Sequence, residues 1–261
     1  MEIGPGTRAI VTGATKGIGL ATARALAGRG AAVGLLARNE EDLKDLAAGL
    51  PRSEALPADV TDAEATERAI RGFAERSGGL ELLVANAGMA RYAPFFEQDP
   101  EDAERMVATN VTGVLNTVRS GLGPMLDRGS GHVVVVSSGA ALRAFPWAAV
   151  YGATKAADKA FAEALRHELS GTGVSVTTVF PGEVATDLHA EAEQLPDWRK
   201  SDEAIPAADV AEAIVDAVVR DRREVHIPGN VRLLALNDLA PGLVDRLLAL
   251  IRGGTAAPRR R

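Results

Sequence analysis

The chain contains no cysteine. That excludes disulfides, thiolate catalysis and cysteine-ligated metals, and it fits a reducing compartment. Its four histidines, at 132, 167, 189 and 226, are scattered and form no HExxH or comparable ligand spacing, so no metal site is expected. There is no excess of positive charge: the net charge is −6, which argues against a nucleic-acid partner. The one basic run, Arg259 to Arg261, reads as a frayed tail. No apolar run approaches the ~20 residues that span a bilayer, so no membrane span is expected. Met1 to Gly6 lacks the charged start and apolar stretch of a signal peptide, and a cytoplasmic location is expected. Internal repeats and low-complexity linkers are also missing.

What is present is alternation. Short β-branched runs at 8–12, 32–37, 80–85, 132–137, 175–180 and 224–227, with a short strand ending near Pro57, are separated by helical segments. This pattern predicts βαβ units and a Rossmann-type, doubly wound parallel sheet of about seven strands with helices on both faces. The four valines from 133 to 136 suit a strand buried on both faces. A length of 261 residues is compatible with one domain, 1–261. Thr61 with Glu64 reads as a capping box. A long helix over 100–128 should be interrupted near Gly121 to Pro124. Residues 183–205 read as an irregular substrate-side lid. The segment 231–261 begins as an apolar, amphipathic stretch, 231–251, expected to pack on the core or at a subunit interface, with contact to a membrane surface as the alternative.

The first strand runs into Thr12-Gly13-Ala14-Thr15-Lys16-Gly17-Ile18-Gly19. Gly13 permits a sharp turn, while Gly17 and Gly19 permit close approach of backbone to a pyrophosphate and of helix to sheet. A helix N-terminus here would offer free N–H groups and partial positive charge to phosphates. The G-x-x-x-G-x-G spacing differs from the general dinucleotide fingerprint and lacks the Gly-Lys-Ser/Thr ending of a P-loop.

From residue 7 to about 187, the chain resembles the short-chain dehydrogenase/reductase family. Thr12 to Gly19 resembles its TGxxxGxG element, Asp59-Val60 its acidic pair near the adenine, and Asn86-Ala87-Gly88 its NAG element, with Ala85 where many members have a second Asn. Asn110 falls at the family's mid-helix Asn. Ser138 precedes Tyr151 at the usual interval, and Tyr151 with Lys155 forms YxxxK. Pro181-Gly182, followed by Val184 and Thr186, resembles the segment that holds the nicotinamide amide.

The resemblance implies an enzyme that interconverts a ketone and a secondary alcohol. Nicotinamide would carry the hydride while the protein positions it and handles the proton. Tyr151 would be the acid/base. A free tyrosine titrates at about 10, and a nearby ammonium favours its phenolate. Tyr151 and Lys155, four apart, would share a helix face. By resemblance, Lys155 would also hold the ribose hydroxyls, Ser138 would polarise the substrate oxygen, and Asn110 would anchor a water linking Lys155 to solvent. Cofactor contacts are expected at Gly13, Thr15, Lys16, Gly17, Ile18, Gly19, Arg38, Asp59, Val60, Asn86, Ala87, Gly88, Tyr151, Lys155, Pro181, Gly182, Val184 and Thr186.

An acid at the end of the second strand would bind both ribose hydroxyls and repel a 2′-phosphate. Here Ala37 stands there, with Arg38 next and Lys16 in the glycine turn. Two cations suit a 2′-phosphate, so NADP(H) is expected over NAD(H). A largely apolar substrate is expected, with Ser138, Phe145, Trp147, Leu188 and Trp198 as pocket residues. The resemblance implies a homodimer or homotetramer formed through the alanine-rich helix 153–170, with Phe161 and Leu165 as contacts; burial against the chain's own sheet is the alternative. Two other readings keep the fold: a non-catalytic NADP-sensing protein, and a nucleotide-sugar epimerase or dehydratase.

Overall fold

The structure is a computed structural model describing residues 1–186, 204–242 and 246. Seven parallel strands form one sheet: β1 (Arg8–Thr12), β2 (Ala32–Ala37), β3 (Ser53–Pro57), β4 (Leu82–Ala85), β5 (Gly131–Val136), β6 (Val174–Pro181) and, after a separate short pair, β9 (Glu224–Ile227). Their order is β3-β2-β1-β4-β5-β6-β9. The chain therefore winds outward one way through β3 and returns across β1 to β4. That reversal opens a crevice beyond the carboxyl ends of β1 and β4, where doubly wound sheets bind ligands.

Two apolar cores cover the two faces. One packs α1 (Gly17–Ala27) and α7 (Ala207–Val219) on the sheet through residues such as Leu26, Ile214 and Val218. The other packs α3 (Ala63–Ser77), α5 (Gly113–Arg128) and α6 (Ala149–Glu168) through Phe73, Val118 and Leu165. Between them, Val133 to Val136 are buried on both sides. The sheet's ends are completed by α2 (Glu40–Gly49), and α4 (Pro100–Val107) stands beside α6. A small pair, β7 (Val184–Ala185) with β8 (Ile205–Pro206), ties the two ends of the expected lid together. Among the described residues, no helix is long and apolar enough to cross a membrane.

Several expectations are corrected. The long helix is not broken at Pro124, which lies inside α5. It widens instead into a π-helical turn at Ala108–Thr112, between α4 and α5. Gly113 and Gly121 let α5 pack closely: a Cβ on Gly113 would come within 2.6 Å of Val60, in the loop after β3, and one on Gly121 within 2.6 Å of Leu83 on β4. Asp62, not Thr61, caps α3, accepting from the Ala65 N–H at 2.9 Å. The Thr61 hydroxyl donates instead to Asp59. Helix α6 begins at Ala149, two residues before Tyr151. Leu165 is buried inside its own subunit, and Phe161 packs against the same core, so the alternative of self-burial holds for Leu165.

The segment after Pro228 forms a 3-10 helical stretch, Gly229–Asp238, whose Val231 and Leu234 pack on Leu142 and Phe180. Of the lid residues, Leu188, His189, Leu195 and Trp198 lie outside the described residues.

Candidate active site

The glycine turn has the geometry its sequence demands. Gly13 and Gly17 adopt φ of +65° and +57°, conformations that other residues rarely take. A Cβ on Gly19 would lie 2.1 Å from the Gly13 carbonyl oxygen, so only glycine lets α1 start this close to β1. The caps differ along the chain. Asn39, Asp62 and Asp99 accept hydrogen bonds from the first-turn N–H groups of α2, α3 and α4. Helix α1 has Lys16 at its cap, no side-chain acceptor and no acid in its first turn. Its N–H groups border the crevice, ready for an anion.

Thr12 locks this turn to β4. Its buried hydroxyl accepts the N–H groups of Asn86 and Ala87, both at 3.0 Å. The Asn86 side chain returns a bond to the Thr12 carbonyl at 2.9 Å. The cross-strand strut fixes the positions of Asn86, Ala87 and Gly88.

A cavity of about 590 Å³ opens here, within the range of small-molecule and cofactor sites. Its walls bring together nearly all the expected residues: the turn from Gly13 through Thr15 to Ile18, Arg38, Asp59, Val60, Asn86 to Gly88, Ser138, Tyr151, Lys155, Pro181, Gly182, Val184 and Thr186. The cleft thus runs from the exposed Lys16 and Arg38 at one end to Tyr151 at the other. Asp42, Met89 and Thr109 also line it and were not foreseen. Asp42 follows the Asn39 cap by one helical turn, a spacing that could have flagged it.

Two of the residues expected at the cofactor and catalytic positions stay out of the cavity wall. Gly19 is buried and serves helix–strand contact. Asn110 is fully buried in the π-helical turn, and its amide is spent: Oδ1 accepts the Met89 N–H at 2.8 Å, and Nδ2 donates to the Met89 carbonyl at 2.9 Å and Thr154 Oγ1 at 3.0 Å. Its side chain ties the segment after β4 to α6. Phe145 and Trp147 do not line the cavity either; they are half-buried in a cluster with Tyr92, Met106 and Tyr151.

The end of the cleft that holds the expected catalytic residues is built on β5 and α6. The Ser138 hydroxyl accepts the Ala140 N–H at 3.1 Å, which leaves its own proton to donate into the cleft. The preceding Ser137 donates to the Lys155 carbonyl at 2.8 Å and pins α6 to the end of β5. Tyr151 is buried, and its ring meets Tyr92 edge-on with centroids 6.0 Å apart. Lys155 Nζ donates to the Val136 carbonyl at 3.0 Å and to Asp158 Oδ2 at 2.9 Å. Burial works against the Lys155 ammonium, but Asp158 and then Tyr151 outweigh it and hold its pKa above the ordinary lysine value. Burial pushes the Asp158 carboxyl up, and Lys155 offsets this only in part.

These walls suit a dinucleotide. Uncapped N–H groups and side-chain-free glycines meet the needs of a pyrophosphate at one end. At the other, hydroxyl donors and an ammonium lie beside a polar floor. Among the described residues, no group of three or more His, Asp or Glu side chains is arranged to hold a metal ion.

Comparison with known proteins agrees. The sequence profile of the short chain dehydrogenase family matches residues 7–196. The chain is 37% identical over 242 residues to glycine betaine reductase ATRR of Emericella nidulans, covering 89% of this chain but only 19% of that longer protein. It is 34% identical to an uncharacterized oxidoreductase of Staphylococcus aureus strain MW2, covering 81% of this chain and 90% of that one. A crystal structure of a 3-ketoacyl-ACP reductase from Sinorhizobium meliloti 1021 superposes with a TM-score of 0.77 at 31% identity, over 87% of this chain and 99% of that one. The chain belongs to the short-chain dehydrogenase/reductase family of oxidoreductases.

Proposed function

We propose that this protein is an NADP(H)-dependent oxidoreductase that interconverts a ketone and a secondary alcohol. The observation that carries the reading is the meeting of Ser138, Tyr151 and Lys155 on one wall of a cleft whose far end is the uncapped glycine turn. A bound nicotinamide supplies or accepts the hydride. Tyr151 then gives its proton to the carbonyl oxygen in reduction, or takes the alcohol proton in oxidation. Ser138 donates a hydrogen bond to that oxygen and stabilises its developing charge. Lys155 brings a buried positive charge to the helix face it shares with Tyr151 and would hold the ribose hydroxyls. The packed floor of Val136, Ser137 and Asn110 keeps these groups in register.

For the cofactor, support comes from Lys16 and Arg38. Both are exposed on the cleft rim, and among the described residues neither is in an ion pair. Arg38 follows directly on β2, where a 2′-phosphate would lie. Asp42 shares the rim, but a carboxylate at the start of α2 is drawn toward that helix's own N-terminus. Self-association is proposed through the outer face of α4 to α6, where Phe95, Val107 and Leu115 are exposed; sedimentation as a monomer at micromolar concentration would remove that part.

The deciding experiment follows NADPH and NADH oxidation against 3-oxoacyl thioesters, aromatic ketones, quinones and sugars. Turnover of at least one ketone, faster with NADPH, is expected. Tight NADPH binding with no carbonyl reduced would favour the non-catalytic sensing protein instead.

A further inference from the structure

We propose that Asp158 is a positioning residue for Lys155, fixing its ammonium as a buried charge aimed at the cleft. The inference rests on the reading of Lys155 above and adds a group that this reading does not use. Asp158 does not line the cavity. Its carboxylate is only 2% exposed and lies 2.9 Å from Lys155 Nζ. Other i,i+3 and i,i+4 pairs on this chain, such as Lys44–Glu40 and Arg68–Glu64, sit in solvent and contribute little. The Lys155–Asp158 pair has no such solvent.

The geometry assigns each ammonium proton. Lysine has three donors. One goes to the Val136 carbonyl on β5 and one to Asp158 on α6. The third is left for the cleft that Lys155 lines. Tyr151, on the same helix, also acts electrostatically on Nζ, and Gly88 stands close by: a Cβ there would come within 3.6 Å of Nζ. Among the described residues, Asp158 is therefore the one carboxylate that pairs with Lys155. Without it, a buried ammonium has no carboxylate partner among the described residues. Desolvation then favours loss of its proton as pH rises, and the lysine loses the partner that sets its direction.

The test compares the full-length wild type with Asp158→Asn and Asp158→Glu. NADPH binding is measured by cofactor fluorescence from pH 6 to 9.5, alongside kcat/KM for the best ketone of the panel. Asp158→Asn should weaken NADPH less than threefold at pH 6 but at least tenfold at pH 9, and should move the alkaline limb of kcat/KM down by one pH unit or more. Asp158→Glu, which keeps the charge, should restore much of the wild-type profile. An Asp158→Asn protein with an unmoved limb, or with the same loss at every pH, overturns the proposal. If Asp158→Asn does not fold, Lys155→Met/Asp158→Leu decides: recovered folding supports the pairing, and continued failure overturns it. Because NADPH binding is read without turnover, a protein that reduces no ketone sinks the catalytic reading while the binding profile still judges Asp158.

Discussion

The two ends of the cleft treat positive charge in opposite ways. At the rim, Lys16 and Arg38 stand in solvent with no ion-pair partner among the described residues. At the floor, Lys155 is buried, bonded to a carbonyl and paired with an acid. An exposed cation costs little to keep and can wait for its ligand. A buried one needs its partner in place before any ligand arrives. The rim is therefore where ligand choice can change by single substitutions, and the floor is where such changes also disturb the fold.

The largest expected effect breaks the floor chemically while sparing its packing. Tyr151→Phe removes only the hydroxyl. Turnover should fall by about 10² to 10⁴-fold, the usual range for losing a general acid or base, with NADPH affinity nearly intact. Single-turnover kinetics beside a fluorescence titration would show this; retained turnover would remove Tyr151 from its role.

His132 sharpens the same contrast, because it is a buried base without a buried acid. Its Nε2 lies 2.7 Å from Thr177 Oγ1, and that hydroxyl donates to the Arg222 carbonyl, so Nε2 carries the proton. The nearest carboxylate, on the exposed Asp221, is 3.9 Å away. Burial, only partly countered by Asp221, lowers the His132 pKa from 6.5 to about 4. As pH falls, the unfolded chain takes up this proton before the native protein does. Stability is thus complete above pH 6.5 and lost between there and about 4, by roughly 3 kcal/mol. Urea midpoints at pH 7, 5.5 and 4 should fall more steeply in the wild type than in His132→Gln. Parallel slopes would exclude the histidine as the cause.

The smallest effect belongs to the rim. Arg38→Ala should weaken NADPH by about tenfold, as expected for one charge-assisted contact, and leave NADH and thermal stability almost unchanged. Equal losses for both cofactors would withdraw the NADP(H) assignment.

The sequence made much of this legible where chemistry and periodicity coincide. The strands at 8–12, 32–37 and 224–227 stand where β-branched and apolar runs predict them. The glycine turn was recognisable because only glycine tolerates its angles. Other features depend on tertiary contact. Pro124 reads as a helix breaker, but packing through Gly113 and Gly121 overrides it. Thr61 reads as a cap, yet Asp59 claims its hydroxyl. The sequence places Asn110 in mid-helix, but not the three internal hydrogen bonds by which its side chain joins Met89 to Thr154. Asp158 looks like half of an ordinary surface pair. The available signal was its register: three residues after Lys155 and seven after Tyr151, it had to share their buried face.

The π-helical turn at Ala108–Thr112 has one more consequence. A π turn takes in a residue that an α-helix would not, so everything after it is rotated by about 100° relative to an uninterrupted helix. That offset is what points Gly113 at Val60 and Gly121 at Leu83. A one-residue deletion within the bulge would leave composition almost untouched. It would swing both glycines away from Val60 and Leu83 and turn side chains toward them, making this short stretch far less tolerant of length change than of substitution.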